Sequence, residues 1–577
     1  MHLLKVGKIS KHAVDNLDIP GSKSYSLRAL FISELSKQPV ILNNILDSDD
    51  TSAMQKALKD LRDSKSDIYV NESGITARFI TALACISPGA QTIYGKPSLN
   101  SRPIRDLVDG LRQLGAEIEY LEKDGCLPIK VSSDCLLKSN LKINGSTSSQ
   151  YLSALLLVAP LLKNGLVIEV DDEQTSKPYI DMTIDIMSKF GVEVENDNYK
   201  KYVVKPQSYG SDEYTVETDY SSASYFFAAA ALNKSRVEIS WLSQDSKQAD
   251  KNFLKVLEQF GADIELDKNS VVVTGKELRP ITVNMNNCPD QAMTAAVLAS
   301  FTPGRTIIKG ISSLRLKETE RIEALQNELA KMGINTRSKK DSLTIFGGKP
   351  KAARIDTYND HRIAMSFAIA GTKLDGIEII NPEVVSKTFP SFWEELSKVS
   401  TIKILERDYT NVLLIGMRGT GKSTTGKLLA RKLNKKFIDM DKHIEDKEKK
   451  KIREIVLENG WDYFRQLEHS AAAEISKLSG YVIASGGGIV LNPKNIEYFK
   501  QNSIVVLINA NPRILTKRIR KDKNRLGLTE QPTLLGELSE VWKERRNLYF
   551  SACDFVVKSD RSSSKKVTQQ IIDKIDR

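Results

Sequence analysis

The sequence predicts an α/β protein made of two unlike halves, and three observations carry that prediction. Residues 411–423, NVLLIGMRGTGKS, run from an apolar strand into a glycine loop ending on Lys422 and Ser423, and TTGKLLARKL continues as a helix. Upstream, amphipathic helix patterns stop on Gly115, Gly191, Gly261 and Gly333, separated by 76, 70 and 72 residues, each followed by an alternating strand. The length of 577 residues exceeds one domain and predicts roughly three or four at about 150 residues each.

In the C-terminal half, Gly416, Gly419 and Gly421 let backbone N–H groups turn toward a triphosphate, and the helix N-terminus adds positive potential. Lys422 supplies charge for the β- and γ-phosphates and Ser423 a ligand for Mg²⁺. Asp439 and Asp441 follow the short apolar run KKFIDMD, at the carboxyl end of a parallel strand where ligands bind such sheets. One of them is suited to hold the metal's water and the other to accept a proton from a substrate hydroxyl; a helix N-cap explains the pair equally well when it is taken alone. YVIASGGGIV places Gly486, Gly487 and Gly488 after a third strand, where backbone can approach a small substrate. Arg518, Arg525 and Arg545 come later, Arg525 in the polar segment KDKNRLGLTEQP, which reads as a lid.

Together GMRGTGKSTTGKLLA, FIDMDKHIE, YFRQLE, SGGGIV and RRNLY resemble shikimate kinase over residues 411 to about 560. The resemblance implies a P-loop kinase fold, a parallel sheet flanked by helices, with ATP held by Gly416, Gly419, Thr420, Gly421, Lys422, Ser423 and Thr424. It further implies that Asp441 is the base, that Ser423 and Asp439 organise Mg²⁺, and that Arg465, Arg545 and Gly486 to Gly488 hold shikimate. The same resemblance implies that Arg525 closes over the phosphates and that Arg518 packs on adenine. The lid departs from the family, with Leu526 where proline usually follows the arginine.

The N-terminal half repeats its unit about six times if LKDLRDSKSDIYV and LSKVSTIKIL are counted as copies without the glycine. Its chemistry is carried by scattered cations and carboxylates. PGSKSYSLRAL sets Lys23 and Arg28 beside serines where a helix opens, and GSTSSQYLSALL offers Ser148, Ser149 and Gln150 at another helix start. Arg102, Lys317, Glu318, Arg321, Asp360, His361, Arg362 and Lys387 complete the set. Helix capping or surface pairing accounts for each motif alone.

Jointly, SDDTSAM, GSTSSQYLSALL, SKPYIDMT, DYSSASYF, CPDQAMT, LKETER, NDHRIAM and SKTFP resemble 5-enolpyruvylshikimate-3-phosphate (EPSP) synthase over residues 1 to about 404. The resemblance implies a two-lobed enolpyruvyl transferase fold of six repeated α/β units: lobe 1 about 1–19 and 219–404, lobe 2 about 20–218, then a linker at 405–410 and the kinase at 411–577. Shikimate 3-phosphate is implied to bind Lys23, Ser24, Arg28, Ser148, Ser149, Gln150, Ser176, Tyr179, Asp290 and Lys317. Phosphoenolpyruvate is implied to bind Lys23, Gly74, Arg78, Arg102, Gln150, Arg321, Arg362 and Lys387. The resemblance makes Asp290 and Glu318 the expected proton-transfer carboxylates, with Lys23 a further candidate acid, and implies a step that needs no metal. Where the family has Asn-Ala-Gly-Thr or Asn-Ser-Gly-Thr, this chain reads Glu72-Ser73-Gly74-Ile75: Gly74 is expected to leave room for the inhibitor glyphosate, with its potency left open by Glu72 and Ile75, and Glu72 is expected to weaken anion binding. The kinase product is the synthase substrate, so the fusion joins two consecutive steps of aromatic amino-acid synthesis.

Charge supports small anionic substrates over nucleic acid. The net charge is +11, and residues 411–577 hold 33 Lys and Arg against 20 Asp and Glu, leaving the remainder at −2. No basic stripe with interleaved aromatics is present. The five cysteines lack C-x-x-C spacing, no apolar run reaches the roughly 18 to 20 residues of a membrane span, and MHLLKVGKISKHAV lacks a signal-peptide core. A soluble cytoplasmic enzyme is expected, with small-molecule substrates and neither nucleic-acid nor membrane partners. Two rivals are an enolpyruvyl transferase acting on a nucleotide sugar, which the serine pair and SKPY disfavour, and a fusion in which one half is a degenerate binding module.

Overall fold

The computed structural model describes residues 3–10, 13–15, 17–132, 135–405, 409–520, 527–529, 531–560 and 562–575. Before residue 406 the chain builds five four-stranded sheets and one two-stranded pair, Glu213–Thr215 beside Ile41–Asn43. The repeated helix–glycine–strand pattern has a local cause. Gly115, Gly191, Gly261 and Gly333 take φ of 105°, 81°, 114° and 80°, values that a Cβ makes costly. The next N–H then reaches back over the helix end: Ala116 to Leu111 at 3.1 Å, Val192 to Met187 at 2.9 Å, Ala262 to Leu257 at 3.0 Å and Ile334 to Leu329 at 2.8 Å. These bonds cap the orphan carbonyls, and the same four apolar residues drop into the core as the chain turns into its strand.

Two cores result. One gathers side chains from Leu4 to Ile19 and Tyr220 to Val399, the other from Tyr25 to Val216. Each is threaded by helices that are apolar on every face, such as Tyr220–Asn233, Ala292–Phe301 and Ser149–Val158, as expected of helices with no solvent side. The chain passes between the cores twice, and the passages pair side by side: Ser22 N–H donates to Glu217 O at 2.8 Å and Asp219 N–H to Pro20 O at 2.9 Å.

After residue 409 a five-stranded parallel sheet runs in the order Lys436–Asp439, Tyr481–Ala484, Asn411–Ile415, Ser503–Asn509, Phe555–Lys558. Alternate residues of the central strand enter opposite cores, Leu413 and Ile415 on one face, Val412 and Leu414 on the other, because both faces are covered by helices. Strand order reverses at this central strand, which sets the phosphate loop at the switch point where open α/β sheets bind ligands. Arg525 and Leu526, and residues 406–408 of the expected linker, lie outside the described residues. No helix among the described residues is long and apolar enough to cross a membrane.

Candidate functional sites

Six helices of the N-terminal half bring their first turns to one cleft. Lys23 and Ser24, Gly74 and Arg78, Ser148 to Gln150, Ser176 and Tyr179, Arg321, and His361 with Arg362 all line it, and each group lies at the start of its helix. The orphan N–H groups and dipoles of those turns favour anions. Ser73, Ser148 and Asp360 cap three of these helices with their own side chains, and Ser48 and Asp219 cap two others, so capping chemistry and site chemistry share the same short motifs.

At the centre Arg321, 1% exposed, forks to three carboxylates: Asp360 at 2.7 Å, Glu318 at 2.8 Å and Asp290 at 3.0 Å. Glu318 also meets Lys387 at 3.2 Å and Arg102 at 3.9 Å; Asp290 meets Lys317 at 3.3 Å and Arg362 at 3.4 Å. Burial opposes their ionisation, but the surrounding cations win, led by Lys317 for Asp290 and by Lys387 for Glu318, and hold both well below the usual carboxylate range. Burial, reinforced by Lys23, instead keeps His361 neutral. Lys23 pairs with Asp50 at 3.1 Å. Arg28 is committed to protein partners, donating to Thr183 Oγ1 at 2.9 Å and Ser24 O at 2.9 Å, and it shapes the cleft as much as it offers charge.

Gly74 answers to close approach. A Cβ there would lie 2.6 Å from Arg78 Nη1 and 3.0 Å from Arg102 Nη1, so glycine lets two guanidiniums converge. Arg78 Nε, Arg102 Nε and both ring nitrogens of His361 are buried without a hydrogen-bond partner among the described residues, as expected of groups that a substrate completes. Glu72 differs from its sequence expectation. Its carboxylate accepts from Ser98 Oγ at 3.0 Å and lies 3.8 Å from Lys96, in side cavities and outside the wall of the main cleft, where neighbours compensate its charge.

The second site lies on the carboxyl edge of the parallel sheet. Gly416, Gly419 and Gly421 adopt φ of 143°, 80° and 92°, and the loop they form holds Lys422 Nζ against Gly416 O at 2.8 Å and Met417 O at 3.0 Å. Burial lowers the Lys422 pKa to about 8. Ser423 Oγ donates to Asp439 at 2.5 Å, a pair of hard oxygen donors of the kind Mg²⁺ takes. Thr420 Oγ1 bonds back to Met417 O at 2.9 Å and Thr424 is exposed on the first helical turn. Arg518 holds Ser559, whose hydroxyl donates to Thr420 O at 3.1 Å, so it borders the loop.

Across the loop stand Asp441, Arg465, Glu468, Arg545, Tyr549 and the three glycines. A Cβ on Gly488 would sit 2.0 Å from Arg465 Nη1, and one on Gly486 would sit 2.7 Å from Asp441 Oδ1; these two glycines leave room for those side chains. Burial raises Asp441 to about 6, with Lys422 opposing and Glu468 adding to the rise. Arg465 pairs with Glu468 and lies over the Trp461 and Phe464 rings. Arg545 Nη1 donates to Gly487 O at 3.3 Å. Glu468 and Tyr549 lie inside the YFRQLE and RRNLY motifs, whose expected roles fall on Arg465 and Arg545 alone; spacing gives the signal for the other two, since Glu468 falls one helical turn after Arg465 and Tyr549 one turn after Arg545.

The EPSP synthase (3-phosphoshikimate 1-carboxyvinyltransferase) family model matches residues 8–69 and 63–396, and the shikimate kinase model matches residues 418–576. A 3-phosphoshikimate 1-carboxyvinyltransferase of Colwellia psychrerythraea is 40% identical over 421 residues, covering 68% of this chain and 98% of that protein. Pentafunctional AROM polypeptide 2 of Lodderomyces elongisporus is 33% identical over 599 residues, which is 93% of this chain and 38% of the larger protein. The structure of EPSP synthase from Acinetobacter baumannii shares the fold of the N-terminal half, with a TM-score of 0.59 at 22% identity over 70% of this chain and all of that one.

Proposed function

The chain belongs to the EPSP synthase family and carries a shikimate kinase domain behind the synthase, and we propose that each site works through the residues described above. The chain is a bifunctional shikimate-pathway enzyme: it phosphorylates shikimate with ATP, then transfers the enolpyruvyl group of phosphoenolpyruvate to shikimate 3-phosphate, releasing phosphate. We assign residues 1–404 to the synthase, with lobes at about 1–19 plus 219–404 and 20–218, and residues 411–577 to the kinase. The cytoplasm, where such metabolites are made, is the location we assign.

In the kinase, Lys422 exchanges its two loop carbonyls for ATP phosphate oxygens, and the loop N–H groups cradle the same phosphates. Ser423 and Asp439 would hold Mg²⁺, which supplies charge neutralisation at the phosphates. Arg465 and Arg545 take the shikimate carboxylate. Asp441 accepts the proton of the hydroxyl that attacks the γ-phosphorus; a pKa near 6 makes it a stronger base than an ordinary aspartate while leaving it ionised at neutral pH.

In the synthase, the helix N-termini and cations hold the two phosphates and two carboxylates of the substrates. The attacking hydroxyl forms a C–O bond to the central carbon of phosphoenolpyruvate, its proton passes to a carboxylate, and a proton is delivered to the methylene carbon. The tetrahedral adduct then loses phosphate and a methyl proton. Asp290 and Glu318 suit these transfers because incoming anions compete for Arg321, Arg102 and Lys387. Each counter-ion drawn to a substrate raises the carboxylate pKa and readies it to carry a proton.

The carrying observation is that Arg321 binds Asp290, Glu318 and Asp360 at once, which gathers the base, the acid and the phosphoenolpyruvate cations into one cluster. Mass analysis of the purified chain given shikimate and Mg-ATP, then phosphoenolpyruvate, tests the whole reading. Shikimate 3-phosphate followed by the enolpyruvyl product is expected; a stop at the first product would make the synthase half a degenerate module, and no phosphorylation would overturn the kinase assignment.

A further inference from the structure

The kinase docks on the lobe that carries Arg321, and charged groups without solvent hold the junction. Helix Leu534–Ala552, which carries Arg545, packs along helix Arg321–Lys331. At its end Lys331, 2% exposed, bonds Glu328 at 2.9 Å and the Asp554 backbone. The Asp554 carboxylate takes Arg354 at 2.6 Å and the Val505 N–H at 2.7 Å. Glu328 accepts from Tyr358 OH at 2.8 Å and Asp356 N–H at 3.0 Å. From the kinase's last helix, Ser564–Ile575, Lys574 pairs with Asp356 and lies 4.6 Å over the Tyr358 ring.

Those contacts converge on a strained turn. Tyr358 and Asn359 both adopt left-handed backbone, at φ of 52° and 57°, a conformation that non-glycine residues hold only when surroundings impose it. The turn leads directly into Asp360, His361 and Arg362. Asn359 reaches the Glu72 carboxylate at 3.5 Å across the cleft, and Lys387 donates to Glu72 O at 3.3 Å. Beside it lies a cavity walled by Glu72, Arg102, Glu318, Tyr358 and Lys387, with Asp573 of the kinase on its far side.

We propose that the kinase domain is part of the scaffold of the enolpyruvyl site, with Lys574 a positioning residue that clamps the Asp356–Asn359 turn and thereby places Asp360 and Arg362 for phosphoenolpyruvate. The inference rests on the synthase assignment above. A synthase lacking the kinase would need another group at this turn; here the partner enzyme supplies it.

The test is steady-state kinetics of the full chain at saturating shikimate 3-phosphate with phosphoenolpyruvate varied. Lys574→Met keeps the aliphatic stem over the Tyr358 ring and removes the charge. It is expected to raise KM for phosphoenolpyruvate about tenfold, with kcat within about twofold, since small misplacements of binding groups are felt this strongly. KM for shikimate in the kinase reaction stays unchanged, and Lys574→Arg restores most of the loss. Asp356→Asn, approached from the synthase side, reproduces the shift if Lys574→Met folds poorly. Arg546→Ala, which removes a contact to Asn335 in the same interface, leaves the KM where it was. An unmoved KM in both Lys574→Met and Asp356→Asn would overturn the positioning role while leaving the synthase assignment intact. A wild-type chain that makes no enolpyruvyl product would instead overturn that assignment.

Discussion

The two sites of this chain treat their carboxylates in opposite ways. In the enolpyruvyl cleft Asp290 and Glu318 are buried yet held deprotonated, because Lys317, Arg321, Arg362, Lys387 and Arg102 surround them. In the kinase Asp441 is comparably buried, but the cations acting on it, Lys422 and then Arg465, are offset by Glu468 and Asp439, and burial prevails. Burial alone therefore does not set a catalytic pKa; the local ratio of cations to carboxylates does. The cleft handles two substrates rich in negative charge and must be built from cations that internal carboxylates neutralise until substrate arrives. The kinase site leaves Asp441, the base we propose, poorly compensated.

The largest effect follows from breaking the cleft's balance. Arg321→Ala leaves Asp360, Glu318 and Asp290 without their shared partner in a buried place, which costs about 3–5 kcal/mol, and a scan of thermal unfolding is expected to show the N-terminal half melting well below the kinase half. The kinase has no comparable hub among its described residues. Lys422→Ala is expected to lower phosphorylation by about a thousandfold, the scale on which phosphate-clamping charges act, while enolpyruvyl transfer from supplied shikimate 3-phosphate continues; equal loss of both activities would contradict two separable sites.

A smaller effect compares the glycines. Gly488→Ala would drive a methyl to 2.0 Å from Arg465, against 2.6 Å from Arg78 for Gly74→Ala. Both guanidiniums are anchored, Arg465 by Glu468 and Arg78 by Gly74 O at 2.7 Å and Pro103 O at 2.9 Å, so the shorter clash decides the order. KM for shikimate in Gly488→Ala is expected to rise about a hundredfold and KM for phosphoenolpyruvate in Gly74→Ala about tenfold, in line with misplaced binding groups. The reverse order in initial-rate measurements would mean that the clash distances do not set the effect.

Much of this geometry is legible in the amino-acid sequence, for identifiable reasons. Glycine loops, helix caps and Schellman ends are local, so GMRGTGKS and the four helix-ending glycines can be read from neighbouring residues. The cleft is legible in part because Lys23, Gly74, Ser149, Arg321 and Arg362 sit in helix first turns, where short motifs carry both cap and ligand. What stays hidden depends on two surfaces meeting. Lys331, Asp554 and Lys574 look like solvated charges until helix Leu534–Ala552 lies on helix Arg321–Lys331. The break at Gly460, with φ of 80° inside a helix, precedes Trp461 and Arg465, which line the pocket, and leaves no periodic signal. The compensation of Glu72 is hidden as well, because Ser98, Lys96 and Asn359, which supply it, are distant in sequence or across the cleft.

The mildest test uses pH alone and separates the sites without mutation. For the kinase, kcat/KM reports the free enzyme, where the proposed roles require Asp441 ionised and Lys422 protonated. With pKa values pushed to about 6 and about 8, the profile is expected to be a bell centred near pH 7. It should fall about tenfold per pH unit well below 6, as Asp441 takes a proton, and again above 8, as Lys422 loses one. ATP phosphates favour charged Lys422, so the alkaline limb of kcat moves upward while the acidic limb stays. The synthase carboxylates lie far lower, so its free-enzyme profile should show no acidic limb near 6 beyond that of the substrate phosphates. A kinase profile flat between pH 5 and 7 would remove Asp441 as the base and leave its raised pKa a consequence of packing.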